Sequence, residues 1–546
     1  MWTPPQRLVH DSLLVSAEAA PERAAVVDEL TGRTYAEIAD DSLRLARLLQ
    51  DEGLHRGDRV AIYLDNSTKC AAAIFGTLLA GGVVMVVHPQ TKAEKLAFVL
   101  SDSEAPFLLI EGHSAAVAAD AVARMSRAPR VFSTPASEAA IRFPDLHQAM
   151  AATEPVPARS RTIPLDLAAL VYTSGTTGNP KGVMLSHQAL VFTVGSIAEY
   201  LRLDAGDRIL NVLPFAFTYG LSQLLLAARL GATLLLERSF AFPAKTLERM
   251  RKEQPTVFPA VPTVYATLLA MDHPTTYDSV RCLTNAAAGL PPALHGGIRR
   301  LFPNALLYRM YGLTECVRVC FLDPGLIDDK PTSVGCPIPG TDAFVLREDG
   351  RHAAPGETGV LHVRGPHLMM GYWRDPQSTA YMLRNGPFPG ERTLCTHDHF
   401  TVDEEGFLYF VGRTDDIIKT RGEKVSVVEV ENVLHAMDGI RQAAVVGVPD
   451  DLLGQAIRAY IVLEEGADLT EREVLRFARS KLENFRVPKD VVFLDELPHT
   501  DSGKVMKRSL VEDPSVRRGP RNVSGARGAG GAPEALRRRS ASSDAG

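Results

Sequence analysis

Cysteine is scarce in this chain. The six present are Cys70, Cys282, Cys316, Cys320, Cys336 and Cys395, with no C-x-x-C pair and no histidine cluster at ligand spacing. That pattern argues against a zinc site or a disulfide framework. The six read as small buried or half-buried side chains in a reducing cytoplasm, and a cytoplasmic location is expected. Positive charge is not in excess either. The formal net charge is −6, which excludes a cationic nucleic-acid binder as the role of the whole protein. The first residues, Met1 to Arg7, lack a basic stretch leading into an apolar core, so no secretion signal is expected. One stretch, Cys70 to Val87, is long enough and uncharged enough to pass for a membrane span. Gly76, Gly81 and Gly82 interrupt it, and it reads as an Ala-rich helix, a glycine turn and the buried strand Val83 to Val87. No membrane span is expected.

What remains is an ordinary globular composition. The chain has 546 residues, 45% hydrophobic and 23% charged, which excludes collagen, a coiled coil and a mostly disordered polymer. Thr34-x-x-Glu37 is a capping-box signature followed by the helical stripe Tyr35, Ile38, Leu45, Leu48 and Leu49. Gly57-Asp58 then turns into the strand Val60 to Leu64. Helix and strand patterns alternate to about residue 325, which predicts a large N-terminal body of layered α/β subdomains with parallel strands. Short strands from about 334 to 411 predict a small β-rich subdomain within that body. Beyond Gly412 the pattern restarts. Ser426-x-x-Glu429 caps a helix carrying Val427, Val430, Val433 and Leu434, and Thr470-x-x-Glu473 caps another carrying Val474, Phe477, Ala478 and Leu482. Strands over 443–448 and 457–463 complete a small α+β C-terminal domain. The expected division is 1–414, 415–512 and a tail over 513–546. From Val516 onward the tail holds seven Arg against Glu534 and Asp544. With no apolar periodicity it reads as disordered, either a solvated extension or an arm for nucleic acid or an acidic partner.

The most informative segment is Tyr172-Thr173-Ser174-Gly175-Thr176-Thr177-Gly178-Asn179-Pro180-Lys181-Gly182. Its glycines allow tight turns and close approach of backbone N–H groups to an anion. Thr173, Ser174, Thr176 and Thr177 add hydroxyls, and Lys181 adds a mobile positive charge. The apolar run Leu167 to Val171 predicts a strand before the loop, and a helix can follow Gly182. Strand, glycine-rich loop and helix together make a phosphate cradle. Pro180 before Lys181 and Gly182 after it exclude a Walker A loop.

This segment resembles the phosphate-binding signature of the adenylate-forming superfamily: acyl- and aryl-CoA synthetases, stand-alone adenylation domains and beetle-type luciferases. The resemblance runs from about residue 8 to 512, and further motifs follow in the family's order. Tyr311-Gly312-Leu313-Thr314-Glu315 matches the aromatic-Gly-x-Thr-Glu motif. The resemblance implies that Tyr311 and Gly312 line the nucleotide site, that Thr314 touches the nucleotide phosphate and that Glu315 helps hold Mg²⁺, a hard cation suited to carboxylate oxygen. Asp398 stands where the family keeps a ribose-binding aspartate, here preceded by His397 instead of the usual glycine. Gly412 to Lys419 matches the crossover between domains, with Arg413 on the ribose and Asp415 at the hinge. Leu497-Pro498-His499-Thr500-Asp501-Ser502-Gly503-Lys504 matches the C-terminal catalytic loop, with Lys504 as the catalytic lysine.

The resemblance implies MgATP-dependent conversion of a carboxylic acid to an acyl-adenylate, with release of pyrophosphate. Two anions must meet, so positive charge is needed where charge builds up. The small domain would then swing about Asp415, replace Lys504 with the face Arg421 to Lys424, and admit a thiol. CoA is the first choice of acceptor and a carrier-protein phosphopantetheine is the alternative. A silent nucleotide-binding protein is the reading from another class. The acid-side gate is Leu213 to Gly220, with Phe217 and Thr218 in the pocket. Amino-acid-activating members usually place Asp where Thr218 stands. A hydroxyl cannot neutralise a buried ammonium, so a fatty or aromatic acid without an α-amino group is expected. Ala286, Ala287, Ala288, Gly289 and Gly312 are small. Either they leave room for an acyl chain or they serve close packing.

Overall fold

A computed structural model describes residues 6–134, 142–155, 161–173, 180–271, 275–413, 417–420, 423–450, 453–482, 484–500 and 505–512. Local signals place the first elements. Thr34 and Glu37 form a complete capping box on the helix Tyr35–Asp51, whose Tyr35, Ile38, Leu45, Leu48 and Leu49 are all buried. Cys70 to Val87 splits into the helix Thr68–Leu79 and the strand Val83–Val86. Among the described residues no helix is long and apolar enough to cross a membrane.

Two large sheets build the body. One has seven strands, in the spatial order Gly371–Tyr372, Lys181–Ser186, Leu167–Thr173, Val83–Val86, Arg59–Tyr63, Phe107–Ile110 and Arg130–Ser133. The four at its far end and Leu167–Thr173 run parallel. The other sheet carries parallel neighbours Thr233–Leu236, Arg208–Asn211, Val257–Ala260, Cys282–Asn285 and Leu306–Tyr311. It then turns antiparallel through Cys320–Leu322 and Ser333–Pro337. Ser333–Pro337 also pairs with Leu408–Arg413, so the β-rich stretch continues this sheet. Near-continuous apolar runs such as Phe107–Ile110 and Thr233–Leu236 are buried along their length, as strands covered on both faces must be.

Past residue 416 a separate five-stranded sheet forms. Gly454–Leu463 pairs with Ile440–Asp450, Ile417–Thr420 and Asp490–Phe493. Its helices Val427–His435 and Glu471–Lys481 start at Ser426 and Thr470, the latter with both halves of a capping box. Val427, Val430, Leu434, Val474 and Ala478 share one core with Val445, Ala459 and Ile461.

One expectation is corrected. No helix follows Gly182 directly. Lys181–Ser186 is a strand antiparallel to Leu167–Thr173, and the helix His187–Tyr200 begins only after Ser186, whose hydroxyl accepts from the Ala189 amide. The run after Gly182 is short and apolar, a pattern that strand and helix share. A neighbouring segment settles it, because Trp373 N–H donates to the Gly182 carbonyl at 2.7 Å and Met370 N–H to that of Met184 at 2.8 Å. The phosphate-loop segment therefore connects two strands.

Candidate active site

The hairpin positions the ends of the glycine-rich segment. Thr173 and Lys181 face each other in the ladder. Ser174, Gly175, Thr176, Thr177 and Gly178 lie outside the described residues, as do Asp415, Lys504, Arg421 and Gly422.

The strand Leu306–Tyr311 feeds a loop that carries two clusters. At its start, Tyr311 Oη donates to Asp398 Oδ2 at 2.6 Å. Asp398 lies opposite Arg413 in the antiparallel ladder, and Arg413 Nε stands 3.3 Å from Asp398 Oδ1. Asp398 is 7% exposed. Burial, and then the Asp398 charge, hold the Tyr311 phenol far above its usual range. Gly312 is required here. A Cβ on it would stand 2.5 Å from the Val317 carbonyl oxygen and 2.9 Å from the Arg318 Cα.

Four residues further on, Glu315 Oε1 accepts from Tyr372 Oη at 2.6 Å. Tyr372 also stands 5.5 Å below Lys181 Nζ, measured to the ring centroid. Lys181 Nζ donates to Ser378 Oγ at 2.5 Å and lies 3.5 Å from Asp375 Oδ2. Asp375 caps the helix Pro376–Met382. Hydrogen bonds from Ser378, followed by the Lys181 charge, pull its carboxyl below the usual range. Burial and the Glu315 charge push the Tyr372 phenol up. The Met369 amide donates to the Glu315 carbonyl at 2.7 Å, so segment 369–373 ties the loop to the hairpin. Half-buried Thr314 sits between the two clusters.

Sequence reasoning missed Tyr372, Asp375 and Ser378. The signal was available in Asp375-Pro376-x-Ser378, an N-cap followed by proline in the first turn, although nothing local pairs that cap with a lysine 194 positions earlier. His397, which stands where the family usually has glycine, takes a backbone conformation that suits glycine. It adopts φ +57°, the left-handed region that a glycine takes without strain. Its ring stacks on that of Tyr381, with centroids 4.0 Å apart and planes 3° from parallel.

On the acid side, Thr218 opens the helix Thr218–Leu230, and Phe217 at its N-cap lies 5.7 Å from the His88 ring. Ala288 and Gly289 are exposed, and a Cβ on Gly289 would meet nothing within 4 Å. Of the two readings for these small residues, close packing holds at Gly312 and open space at Gly289.

Buried Asp398 between Tyr311 and the exposed Arg413, a lysine at a glycine-rich hairpin and a carboxylate on the loop between them are groups of the kind that a nucleotide and its phosphates call for. The model of the AMP-binding enzyme family matches residues 13–373, and that of the AMP-binding enzyme C-terminal domain matches 429–504. The chain belongs to the AMP-binding enzymes, within the adenylate-forming superfamily. It is 32% identical over 541 residues to a long-chain-fatty-acid–CoA ligase of Bacillus subtilis (strain 168), covering 93% of this chain and 95% of that protein. It is 32% identical over 494 residues to a feruloyl-CoA synthase of Amycolatopsis sp, covering 90% and 96%. The crystal structure of ATP-bound MatB from Rhodopseudomonas palustris superposes with a TM-score of 0.83 at 28% identity, over 92% of this chain and 98% of that one.

Proposed function

We propose that this enzyme is an AMP-forming acid–CoA ligase: it activates a carboxylic acid with ATP to an acyl-adenylate, releases pyrophosphate, and passes the acyl group to the thiol of CoA. The supporting observation is the pair of hydrogen-bonded clusters on one loop, Tyr311–Asp398–Arg413 and Glu315–Tyr372–Lys181. Asp398 and Arg413 suit ribose hydroxyls, since a carboxylate accepts and a guanidinium donates. Lys181 and Thr173 suit the phosphates, with Ser174 to Gly178 between them supplying amides and hydroxyls. Glu315 fits Mg²⁺. Tyr372 holds one of its oxygens, while Oε2 takes no hydrogen bond among the described residues. Magnesium characteristically binds through one or two carboxylates plus substrate phosphates. Bound there, it would neutralise phosphate charge.

The chain's own residues then position the reaction. The substrate carboxylate attacks the α-phosphorus in line, and the P–O bond to pyrophosphate breaks. Lys181 stabilises the departing pyrophosphate and Lys504 the charge on the pentavalent centre, so catalysis is mainly positioning and electrostatics. The small unit, 415–512, would turn about Asp415 before the CoA thiol attacks the acyl carbonyl and AMP leaves. Thr218 and Phe217 at the gate, with Ala288 and Gly289 beyond, receive an acid without an α-amino group. CoA is preferred as acceptor over a carrier-protein arm because relatives named as CoA ligases match this chain over nearly their full length.

ATP–pyrophosphate exchange with a panel of acids, followed by addition of CoA, tests the reading. Acid-dependent exchange and CoA-dependent release of AMP are expected. Exchange that depends on amino acids would overturn the reading of Thr218, and exchange with no acid would overturn the function.

A further inference from the structure

Arg318 is an unusual cation among the described residues. It is 2% exposed, and its Nε takes no hydrogen bond among the described residues. No carboxylate among the described residues forms a salt bridge with it. Its guanidinium instead lies over the ring of Tyr219, 5.2 Å from the centroid. Tyr200, Cys316 and Cys320 also lie within its electrostatic reach, and the Glu315 carboxylate, three residues earlier, is held by Tyr372 and forms no salt bridge with it among the described residues. Burial pushes all of these phenols and thiols up, Tyr219 included, so none of them carries compensating negative charge at neutral pH. His367 packs nearby, and burial lowers it to about 4, so it too is uncharged. An arginine stays protonated in any protein environment, and an uncompensated buried charge is costly.

The backbone is bent to hold it there. Val319 N–H returns to the Tyr311 carbonyl at 2.9 Å, closing the loop. Closure leaves Val317 at φ +60°, an outlier for a β-branched residue. The position is also specific. Tyr219 is the neighbour of Thr218 at the gate, and the Arg318 Cα is the atom that bars a side chain at Gly312. The guanidinium therefore stands against the neighbour of the gate residue Thr218, while its own backbone packs on the Gly312 turn.

We infer that Arg318 is a specificity-determining residue that receives a second anionic oxygen group of the substrate, so that the preferred acid is dicarboxylic. One carboxylate is adenylated, and the distal one pairs with the guanidinium through the bidentate geometry that suits it. This inference rests on the proposed acid–CoA ligase activity and narrows its substrate. Thr218 offers no charge for an ammonium, and Arg318 offers one for a carboxylate.

The test is exchange kinetics on matched pairs that differ only in the distal group, such as butyrate with succinate, hexanoate with adipate, and benzoate with isophthalate. In the unaltered enzyme the best diacid should exceed its monoacid partner in kcat/KM by at least tenfold. Arg318→Met should cut that ratio by about 10- to 100-fold, the span expected for a hydrogen-bonded charge, with the loss carried by KM of the diacid. Arg318→Lys should restore part of it. A purely structural arginine would lower the melting temperature and leave the ratio unmoved, which overturns the inference. If Arg318→Met does not fold, the ratio in the unaltered enzyme and in Arg318→Lys decides. Good exchange with monoacids and none with diacids overturns the inference while the ligase reading stands. No exchange with either series overturns both.

Discussion

Tyr372→Phe is a sharp probe of the site because it deletes one oxygen from the centre of a network. Tyr372 Oη lies 2.6 Å from Glu315 Oε1, a distance typical of an O–H donor on a carboxylate. Tyr372 is 8% exposed, so water has little room to replace the lost donor. A hydrogen bond to a charged acceptor contributes about 1.5–3 kcal/mol. Glu315 would then be free to leave the rotamer in which Tyr372 holds one oxygen and leaves the second for the proposed magnesium. The ring under Lys181 is retained in phenylalanine, which isolates the hydrogen bond from the cation–π contact. Converting that range at 1.4 kcal/mol per decade gives a loss of roughly tenfold to a hundredfold in kcat/KM for MgATP. The assay is ATP–pyrophosphate exchange across a magnesium titration, with melting temperature as the folding control. The half-saturating magnesium concentration should rise along with the loss. A folded variant with unchanged kcat/KM and unchanged magnesium dependence would show that Tyr372 does not orient Glu315 for catalysis.

Lys504→Ala should reduce adenylate formation by orders of magnitude while thioester formation from synthetic acyl-adenylate survives; equal loss of both half-reactions in folded protein would refute the division of roles. Tyr311→Phe removes the donor at 2.6 Å from buried Asp398 and should raise KM for ATP about tenfold with less effect on KM for the acid, measured by initial rates. His397→Gly should change KM for ATP by less than about twofold, since the ring stacks on Tyr381 rather than facing the ribose cluster; a larger change would place His397 in the site. Acid should destabilise the fold through buried histidines. Burial lowers His187 to about 3, and His295 and His367 to about 4. Their folded values lie below the unfolded one, so the unfolded chain binds up to three more protons between about pH 6.5 and 4. Stability should fall as pH drops through that window, approaching about 4 kcal/mol per pH unit in its lower half, and urea titrations at pH 7, 6 and 5 would expose a flat profile if the histidines are not buried neutral.

The parts of this molecule that could be read from sequence are those fixed within a few residues. Thr34 with Glu37 and Thr470 with Glu473 are complete in themselves, because the cap and the helix it starts are adjacent. Tyr311, Glu315 and Lys181 were legible through motifs, yet each motif showed only one side of a contact. Lys181 meets Ser378 across 197 positions, Glu315 meets Tyr372 across 57 and Tyr311 meets Asp398 across 87. Pairings at such separations depend on which strands become neighbours, and that is decided by the whole sheet. The strand after Gly182 shows the same limit, since segment 369–373 fixes it from outside. Arg318 escaped notice for a related reason. Its side-chain type suggests a surface, and its placement indoors follows from the closure of the Tyr311–Val319 loop, which no periodicity reports. A buried cation that local sequence does not predict and local structure does not neutralise is where tertiary folding has been spent on something other than stability, and the carboxylate missing from its surroundings is most simply one that arrives with the substrate.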